Sequence, residues 1–176
     1  MLGSLLFGLT NTSIAYKIGS HLVDNLEESN IDNCVRDKVC PKPGSVLYIE
    51  MACSVADAAH SGIYVGEGDV VELSGEGTIQ KVSVSEFLDV PLFVNTAISI
   101  YVSCKDGHAV GSQAVARRAR SMVGRCRDYN LIFDNCHQFT SGCLTGDFEN
   151  SDDFLWMLKD TAKKRLGADE WRVWNR

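Results

Sequence analysis

Residues 60–73 decide the fold, and they read HSGIYVGEGDVVEL. Two runs rich in β-branched residues, His60–Val65 and Val70–Leu73, flank the turn Gly66-Glu67-Gly68-Asp69. Short apolar runs joined by a glycine-containing turn are typical of a β-hairpin. The stretch therefore predicts two adjacent antiparallel strands.

The length of the loop in this hairpin decides which side chains share a face. With a three-residue loop, Val65 pairs with Asp69. In that register Gly62 pairs with Glu72, and His60 lies diagonally across from Glu72 on the same face. With a two-residue loop, His60 and Glu72 lie on opposite faces. Contact between the imidazole and the carboxylate is thus conditional on the loop.

Further strand and helix signals surround the hairpin. Strands are predicted at Val46–Met51, Thr78–Val82 and Ile98–Cys104. Together with the hairpin they indicate an antiparallel sheet packed against helices, which is an α+β fold. We expect a helix capped by Asp106 that stops at Gly124, with apolar positions at Val110, Ala114, Ala119, Met122 and Val123.

Two more helices are expected toward the C-terminus. One follows Asn135. The last begins at Ser151 as N-cap, carries Asp152 and Asp153 in its first turn and Lys163, Lys164 and Arg165 in its last, and ends before Gly167. This charge arrangement compensates the helix dipole at both ends.

The N-terminal segment has a different character. Residues 1–33 are predicted to be helical, and Cys40–Gly44 closes this leader, so the expected division is a helical leader over 1–42 and one domain over 43–176. Residues 1–9 are apolar but have no basic region before them, which argues against a secretory signal. A packed helix is favoured there over a membrane anchor.

Composition narrows the class of protein. The 176 residues are 45% hydrophobic and 23% charged, with a net charge of −6, which is typical of a globular domain and unfavourable for binding nucleic acid. The seven cysteines do not follow a zinc or CxxC pattern, so no structural metal is expected. An odd cysteine count without a signal sequence favours a reducing, cytoplasmic location. The arginines at positions 117, 118, 120, 125 and 127 are interpreted as solvated surface.

Cys136 stands at the start of the helix that follows Asn135. A thiol in the first turn lies in the positive end of the helix dipole, which favours the thiolate and can hold an oxyanion. If His60 and Glu72 meet, they supply a base and the group that orients it. The alternatives are a buried, inert Cys136, and a hairpin on which His60 is a partly exposed strand residue and Glu72 is solvated.

Two stretches resemble a known family. They are residues 60–73 and YNLIFDNCHQF at residues 129–139. They look like the lecithin retinol acyltransferase-like family, which belongs with NlpC-type peptidases among circularly permuted papain-like thiol enzymes. With Pro43–Tyr48 as the first core strand, the resemblance covers about residues 43–145.

The resemblance implies roles for three residues: Cys136 as nucleophile, His60 as general base and Glu72 as the orienting residue. Gln138 stands where the family motif often has histidine. The expected fold is then permuted papain-like, with the nucleophile at a helix N-terminus. No metal, nucleotide or redox cofactor is implied.

The predicted function is cysteine-dependent hydrolysis or acyl transfer on an ester, thioester or lipid-like substrate, through an acyl-enzyme. An amidase or peptidase of the same superfamily and a non-catalytic binding module remain alternatives. Tyr48 is either an oxyanion donor or, as favoured, a core residue. His137 is expected to point away from the thiol, because adjacent helix residues face different directions.

Remaining candidates are weaker. His108 is expected to face water, and His21 lies in the leader. The three tryptophans, Trp156, Trp171 and Trp174, are interpreted as core or interface anchors, and the other cysteines as inert thiols.

Overall fold

The computed structural model describes residues 38–50, 59–89, 99–128 and 135–175. Within them, seven strands form one antiparallel sheet, and four helices accompany it. The strands are β1 Val46–Glu50, β2 Ala59–Gly66, β3 Asp69–Leu73, β4 Ile79–Ser83, β5 Tyr101–Lys105, β6 His108–Ala109 and β7 Glu170–Val173. The helices are α1 Val84–Leu88, α2 Gln113–Met122, α3 Cys136–Thr145 and α4 Leu155–Leu166. The predicted α+β class is confirmed.

The strand order is β4-β3-β2-β1-β5-β6, and β7 also pairs with β5. The central strands β1 and β2 are buried along almost their whole length. Residues 1–37 of the predicted leader lie outside the described residues, and so do the predicted strand ends at Met51 and Ile98. The domain boundary at residue 42 therefore stays a prediction, although Val39 forms a bridge with Trp174.

The β2–β3 hairpin has the Gly62–Glu72 register expected for a three-residue loop, but it reaches that register by a different route. Glu67 and Gly68 form a two-residue turn with φ of 59° and 82°, and Gly66 pairs with Asp69. The predicted Val65–Asp69 pair is therefore wrong. A β-bulge between Tyr64 and Gly66 adds one residue to β2 and restores the alternation, so that Gly62 pairs with Glu72 as expected. The two-residue turn alone would place His60 and Glu72 on opposite faces of the sheet, and the extra residue of the bulge returns them to the same face.

The helix expected after Asp106 begins later. Asp106 and Gly107 have φ of 50° and 80° and form a tight turn between β5 and β6, so Asp106 is not a helix cap. An Asp-Gly pair suits this turn, because both residues tolerate positive φ. The helix α2 starts after Ser112, and its predicted stop is confirmed by Gly124, which has φ of 86° just past the end.

The start of the last helix is also corrected. Its N-cap is Phe154, and Ser151 lies in the preceding turn, where the main-chain N–H of Asp152 donates to Asn150 Oδ1 over 3.0 Å. The first-turn aspartates are therefore outside α4. The C-terminal expectation is confirmed: three basic residues occupy the last turn, and Gly167 is a left-handed C-cap.

Two hydrophobic clusters cover the two faces of the sheet. The first lies between the sheet and α2, α3 and α4, and its helix residues include Ala119, Phe139 and Leu158. The second cluster packs against the other face and contains Phe87 of α1. Tryptophans belong to both, since Trp171 is buried in the first and Trp174 packs on the second.

The basic stretch is more than solvated surface. Arg118 donates to the main-chain carbonyl of Cys143, and Arg120 donates to that of Val65. Arg127 donates to Phe148 O over 2.8 Å. The surface interpretation is thus wrong for Arg118 and Arg127, which are partly buried and tie α2 and the segment after it to neighbouring elements. Arg120 is exposed, as predicted.

Candidate active site

Cys136 is the first residue of α3, as the sequence predicts. The N-cap Asn135 accepts hydrogen bonds at Oδ1 from the main-chain N–H groups of His137 (2.9 Å) and Gln138 (3.3 Å). Its side-chain amide donates to Asp153 O over 2.7 Å, which fixes the cap. The cap does not use the N–H of Cys136 itself. The thiol, whose residue is 4% exposed, therefore lies at the positive end of the helix.

His60 and Glu72 meet on one face of the hairpin. His60 Nε2 lies 2.7 Å from Glu72 Oε2, and both residues are 6% exposed. The His60 ring also packs against Phe87, with 5.1 Å between ring centroids. Because Glu72 holds Nε2, Nδ1 is the ring nitrogen left for the thiol of Cys136.

Gln80 completes the support of the carboxylate. It pairs directly with Glu72 in the β3–β4 ladder, and its side-chain amide donates to Glu72 Oε1 over 2.9 Å. Each oxygen of Glu72 thus has its own partner. Sequence reasoning missed Gln80, although its place opposite Glu72 follows from the register of the second hairpin.

The charges of Cys136 and His60 stabilise each other. Burial disfavours the thiolate, but His137 and His60 outweigh it and hold the pKa of Cys136 well below its ordinary value. Burial likewise disfavours a charged His60, but Cys136 and then Glu72 outweigh it and raise the pKa of His60 to about 10. The geometry therefore favours a thiolate–imidazolium pair.

His137 also reaches the thiol, and the expectation that it points away is wrong. Its Nδ1 lies 3.9 Å from Cys136 Sγ and 2.8 Å from Ser61 Oγ. Adjacent helix residues do differ in direction around the axis, but their side chains both lean toward the N-terminal end. At the first turn, this lean brings the imidazole back to the sulfur.

Gln138 and Tyr48 both have structural contacts. Gln138 Oε1 accepts from Arg127 over 3.0 Å, and its amide donates to Asn150 O, so that the side chain ties the loop after α3 to the helix. Tyr48 is buried and stacks on Tyr101, with 4.8 Å between centroids. It is a core residue, the alternative that the sequence favoured.

Two further thiols have the opposite environment to Cys136. Burial raises the pKa of Cys104 to about 11, with a contribution from Glu170. Burial also raises the pKa of Cys143. Both are expected to be inert, as predicted. His108 is exposed on β6, as predicted, and α2 begins five residues after it.

An α+β fold with a cysteine at the start of a helix and a histidine on the adjacent sheet is the arrangement of papain-like thiol enzymes. The family described as lecithin retinol acyltransferase matches residues 40–149, and the chain belongs to this family. The match contains Cys136, His60 and Glu72. Membership supports activity of the acyltransferase or hydrolase type, and the resemblance drawn from the two motifs is confirmed.

Viral proteins are also similar to the chain. It is 26% identical over 136 residues to a genome polyprotein of avian encephalomyelitis virus, strain Calnek vaccine, and 26% identical over 134 residues to that of strain Van Reokel. These matches cover 77% and 76% of the chain, which spans only 6% of each polyprotein. Among the helices that the structure describes, none is long and apolar enough to cross a membrane.

Proposed function

We propose that the chain is a cysteine-dependent hydrolase or acyltransferase that acts on acyl esters, thioesters or lipid-like substrates through a covalent acyl-enzyme. The observation that carries this proposal is the placement of His60 between the thiol of Cys136 and the carboxylate of Glu72, with Nε2 to Oε2 at 2.7 Å. A nucleophile, a base and an orienting group are the three parts of a thiol-based acyl-transfer site.

In the first half-reaction, the thiol proton resides on His60 and the thiolate of Cys136 attacks the substrate carbonyl carbon. A C–S bond forms, and the carbonyl oxygen becomes an oxyanion. The main-chain N–H of Cys136, at the positive end of α3, is placed to stabilise that charge. His60 then gives its proton to the leaving alkoxide or thiolate, the bond to the leaving group breaks, and the acyl-enzyme remains.

In the second half-reaction, neutral His60 takes a proton from water or from an acceptor alcohol. The activated oxygen attacks the thioester carbon, and the C–S bond breaks to regenerate the thiolate of Cys136. His60 is then protonated again, so the resting ion pair is restored. Whether water or another acceptor enters decides between hydrolysis and acyl transfer.

Intact-mass spectrometry tests the proposal directly. The full chain and its Cys136→Ala variant are exposed to activated esters, phospholipids and short peptides. Cys126→Ala is the matched control, because Cys126 is an exposed free thiol whereas Cys136 is buried. We expect an acyl adduct on the wild type and on Cys126→Ala, and none on Cys136→Ala. An adduct from peptides alone would favour the amidase alternative. No adduct, together with ordinary alkylation of Cys136, would favour a binding module.

A further inference from the structure

A chain of buried hydroxyl groups lies behind the nucleophile. Thr140 Oγ1 donates to the main-chain carbonyl of Cys136 over 2.7 Å. Ser61 Oγ lies 3.1 Å from Thr140 Oγ1 and 2.8 Å from His137 Nδ1. Ser61 and Thr140 are fully buried, and His137 is nearly so. The four residues form a continuous path from the carbonyl of the nucleophile to the imidazole beside its sulfur.

The direction of each hydrogen bond in this path follows from one fixed end. A carbonyl oxygen only accepts, so the Thr140 proton is committed to Cys136 O. Ser61 must then supply the proton of its bond to Thr140, and a hydroxyl has only one. In its contact with His137, Ser61 is therefore the acceptor. His137 Nδ1 carries a proton whether the ring is neutral or charged.

This assignment gives His137 a different task from that of His60. A protonated Nδ1 has no lone pair with which to take the thiol proton. Its single N–H donates to Ser61 Oγ over 2.8 Å, and Cys136 Sγ, 3.9 Å from Nδ1, is a second and longer acceptor of the same proton. The sulfur also lies 3.8 Å from the main-chain carbonyl oxygen of Ala59. The partial negative charge of that oxygen disfavours a thiolate. An N–H donor is what such a site needs to hold the anion.

We infer that His137 is a second catalytic histidine, whose single Nδ1–H is held by Ser61 in the tautomer set by the Ser61–Thr140 relay and is shared with the Cys136 thiolate. The inference rests on the proposed function and deepens it, because it divides the work between two imidazoles. His60, from β2, accepts and returns the proton. His137, from α3, stabilises the sulfur anion before attack and when the acyl group leaves.

The titratable groups that face the sulfur are few in the part of the chain that the structure describes. His60 approaches from β2 and His137 from α3, while Glu72 of β3 acts through His60. Loss of His137 therefore leaves one histidine beside the thiolate. A hydrogen bond to a charged group contributes enough to move the midpoint of the Cys136 alkylation profile upward by about one pH unit.

The tautomer is measured on the intact wild-type chain by long-range 15N–1H correlation of its histidine rings, with His137→Asn used to assign the His137 signals. We expect Nδ1 of His137 to be protonated. A ring protonated only at Nε2 would overturn the inference, whatever the activity of the protein. This measurement does not depend on whether an alanine variant folds.

The second measurement is the alkylation rate of Cys136 against pH. His137→Ala should move the midpoint upward, whereas His137→Asn, whose amide nitrogen can replace Nδ1–H, should stay near the wild type. His108→Asn is the matched control, since His108 is exposed and remote. Thr140→Val frees the Ser61 proton to point at His137, so it should also raise the midpoint.

The outcomes separate the two proposals. If wild-type Cys136 alkylates as an ordinary thiol, the proposed function fails. If it is reactive and depends on His60, but His137→Ala leaves the profile unchanged, the function stands and the role of His137 is overturned.

Discussion

His60 Nε2 lies 2.7 Å from Glu72 Oε2, although the residue paired with Glu72 in the sheet is Gly62. The contact is diagonal across the β2–β3 hairpin, and a residue without a side chain stands directly opposite the carboxylate. A Cβ at Gly62 would lie closest to Val70, Val71 and Phe87, and Phe87 in turn packs on the His60 ring. The second oxygen of Glu72 is held by Gln80, so the orientation of the imidazole depends on three successive strands.

Replacing Glu72 by glutamine should disable the site while preserving its shape. In Glu72→Gln, Gln80 still donates, so the new amide must turn its oxygen to Gln80 and its NH2 group to His60. An NH2 group facing Nε2 forces the His60 proton onto Nδ1, where it can no longer accept the thiol proton. We expect turnover in a steady-state assay to fall by about 10²- to 10⁴-fold.

A double variant tests that explanation. Gln80→Leu removes the donor that holds the amide, so in Glu72→Gln/Gln80→Leu the amide can turn its oxygen back to His60. Part of the lost turnover should return. If the double variant is no more active than Glu72→Gln, the proposed orientation of the amide is wrong.

The alkylation of Cys136 should persist well below the pH at which ordinary thiols stop reacting. Its pKa is lowered, and only the thiolate reacts, so the rate falls when the pH drops below that lowered value. His60→Gln removes one of the two histidines that favour the thiolate. The midpoint of the rate profile should therefore move upward, toward the ordinary thiol value of about 8.5.

The fall of turnover at high pH depends on the protonation of His60. Its pKa is raised to about 10, so its proton is retained at neutral pH and lost as the pH rises through that value. Turnover should therefore decline near pH 10, because His60 no longer has a proton for the leaving group. Cys143, whose pKa burial raises, serves as an internal control and should remain unmodified at neutral pH in mass-mapped alkylation.

The sequence predicted the nucleophile position, and it left the hairpin register open between two loop lengths. Turns and helix caps depend on only a few consecutive residues, so the sequence shows them directly. Examples are the Glu67-Gly68 turn, the Asn135 cap and Gly167. The bulge at Val65 could not be predicted from the sequence. A two-residue turn with a bulge and a three-residue loop both pair Gly62 with Glu72, so the pattern of residues along the two strands fits either one.

The missed features depend on contacts between distant segments. β7 pairs with β5 about 70 residues earlier, and nothing near Glu170 signals that partner. The Asp106-Gly107 turn was hidden because the apolar positions after it also fit a helix. His137 was missed because its bond to Ser61 joins α3 to β2, and the spacing of helix residues does not show it.

Gly62 should resist even the smallest side chain. A Cβ at this position would lie 2.8 Å from Val70 Cγ1, 2.9 Å from Val71 O and 3.2 Å from Phe87 Cε2. Overpacking of this kind costs about 1–3 kcal/mol. Gly62→Ala should lower the free energy of unfolding by that amount in urea titrations, and it should also lower turnover, because Phe87 packs on the His60 ring.

Gly68 in the same hairpin is the matched control. A Cβ there would meet open space, and its φ of 82° is one that asparagine tolerates. Gly68→Asn should therefore change the free energy of unfolding by less than about 0.5 kcal/mol. Equal losses in both variants would mean that the hairpin is sensitive to any substitution and that the close approach at Gly62 is not the cause.

Asn135→Asp separates the structural role of the helix cap from its electrostatic role. Aspartate keeps the oxygen that accepts from His137 N and Gln138 N, so the cap on α3 is retained. It loses the amide donation to Asp153 O and places a negative charge one residue from the thiol. A nearby negative charge disfavours the thiolate, so the midpoint of Cys136 alkylation should move to higher pH, with helical content by circular dichroism preserved.

Ser83→Asp, a substitution at the N-cap of α1, is the matched control and should leave the Cys136 profile unchanged. If Asn135→Asp also leaves the profile unchanged, the positive end of α3 does not govern the thiol, and the two histidines alone account for its low pKa.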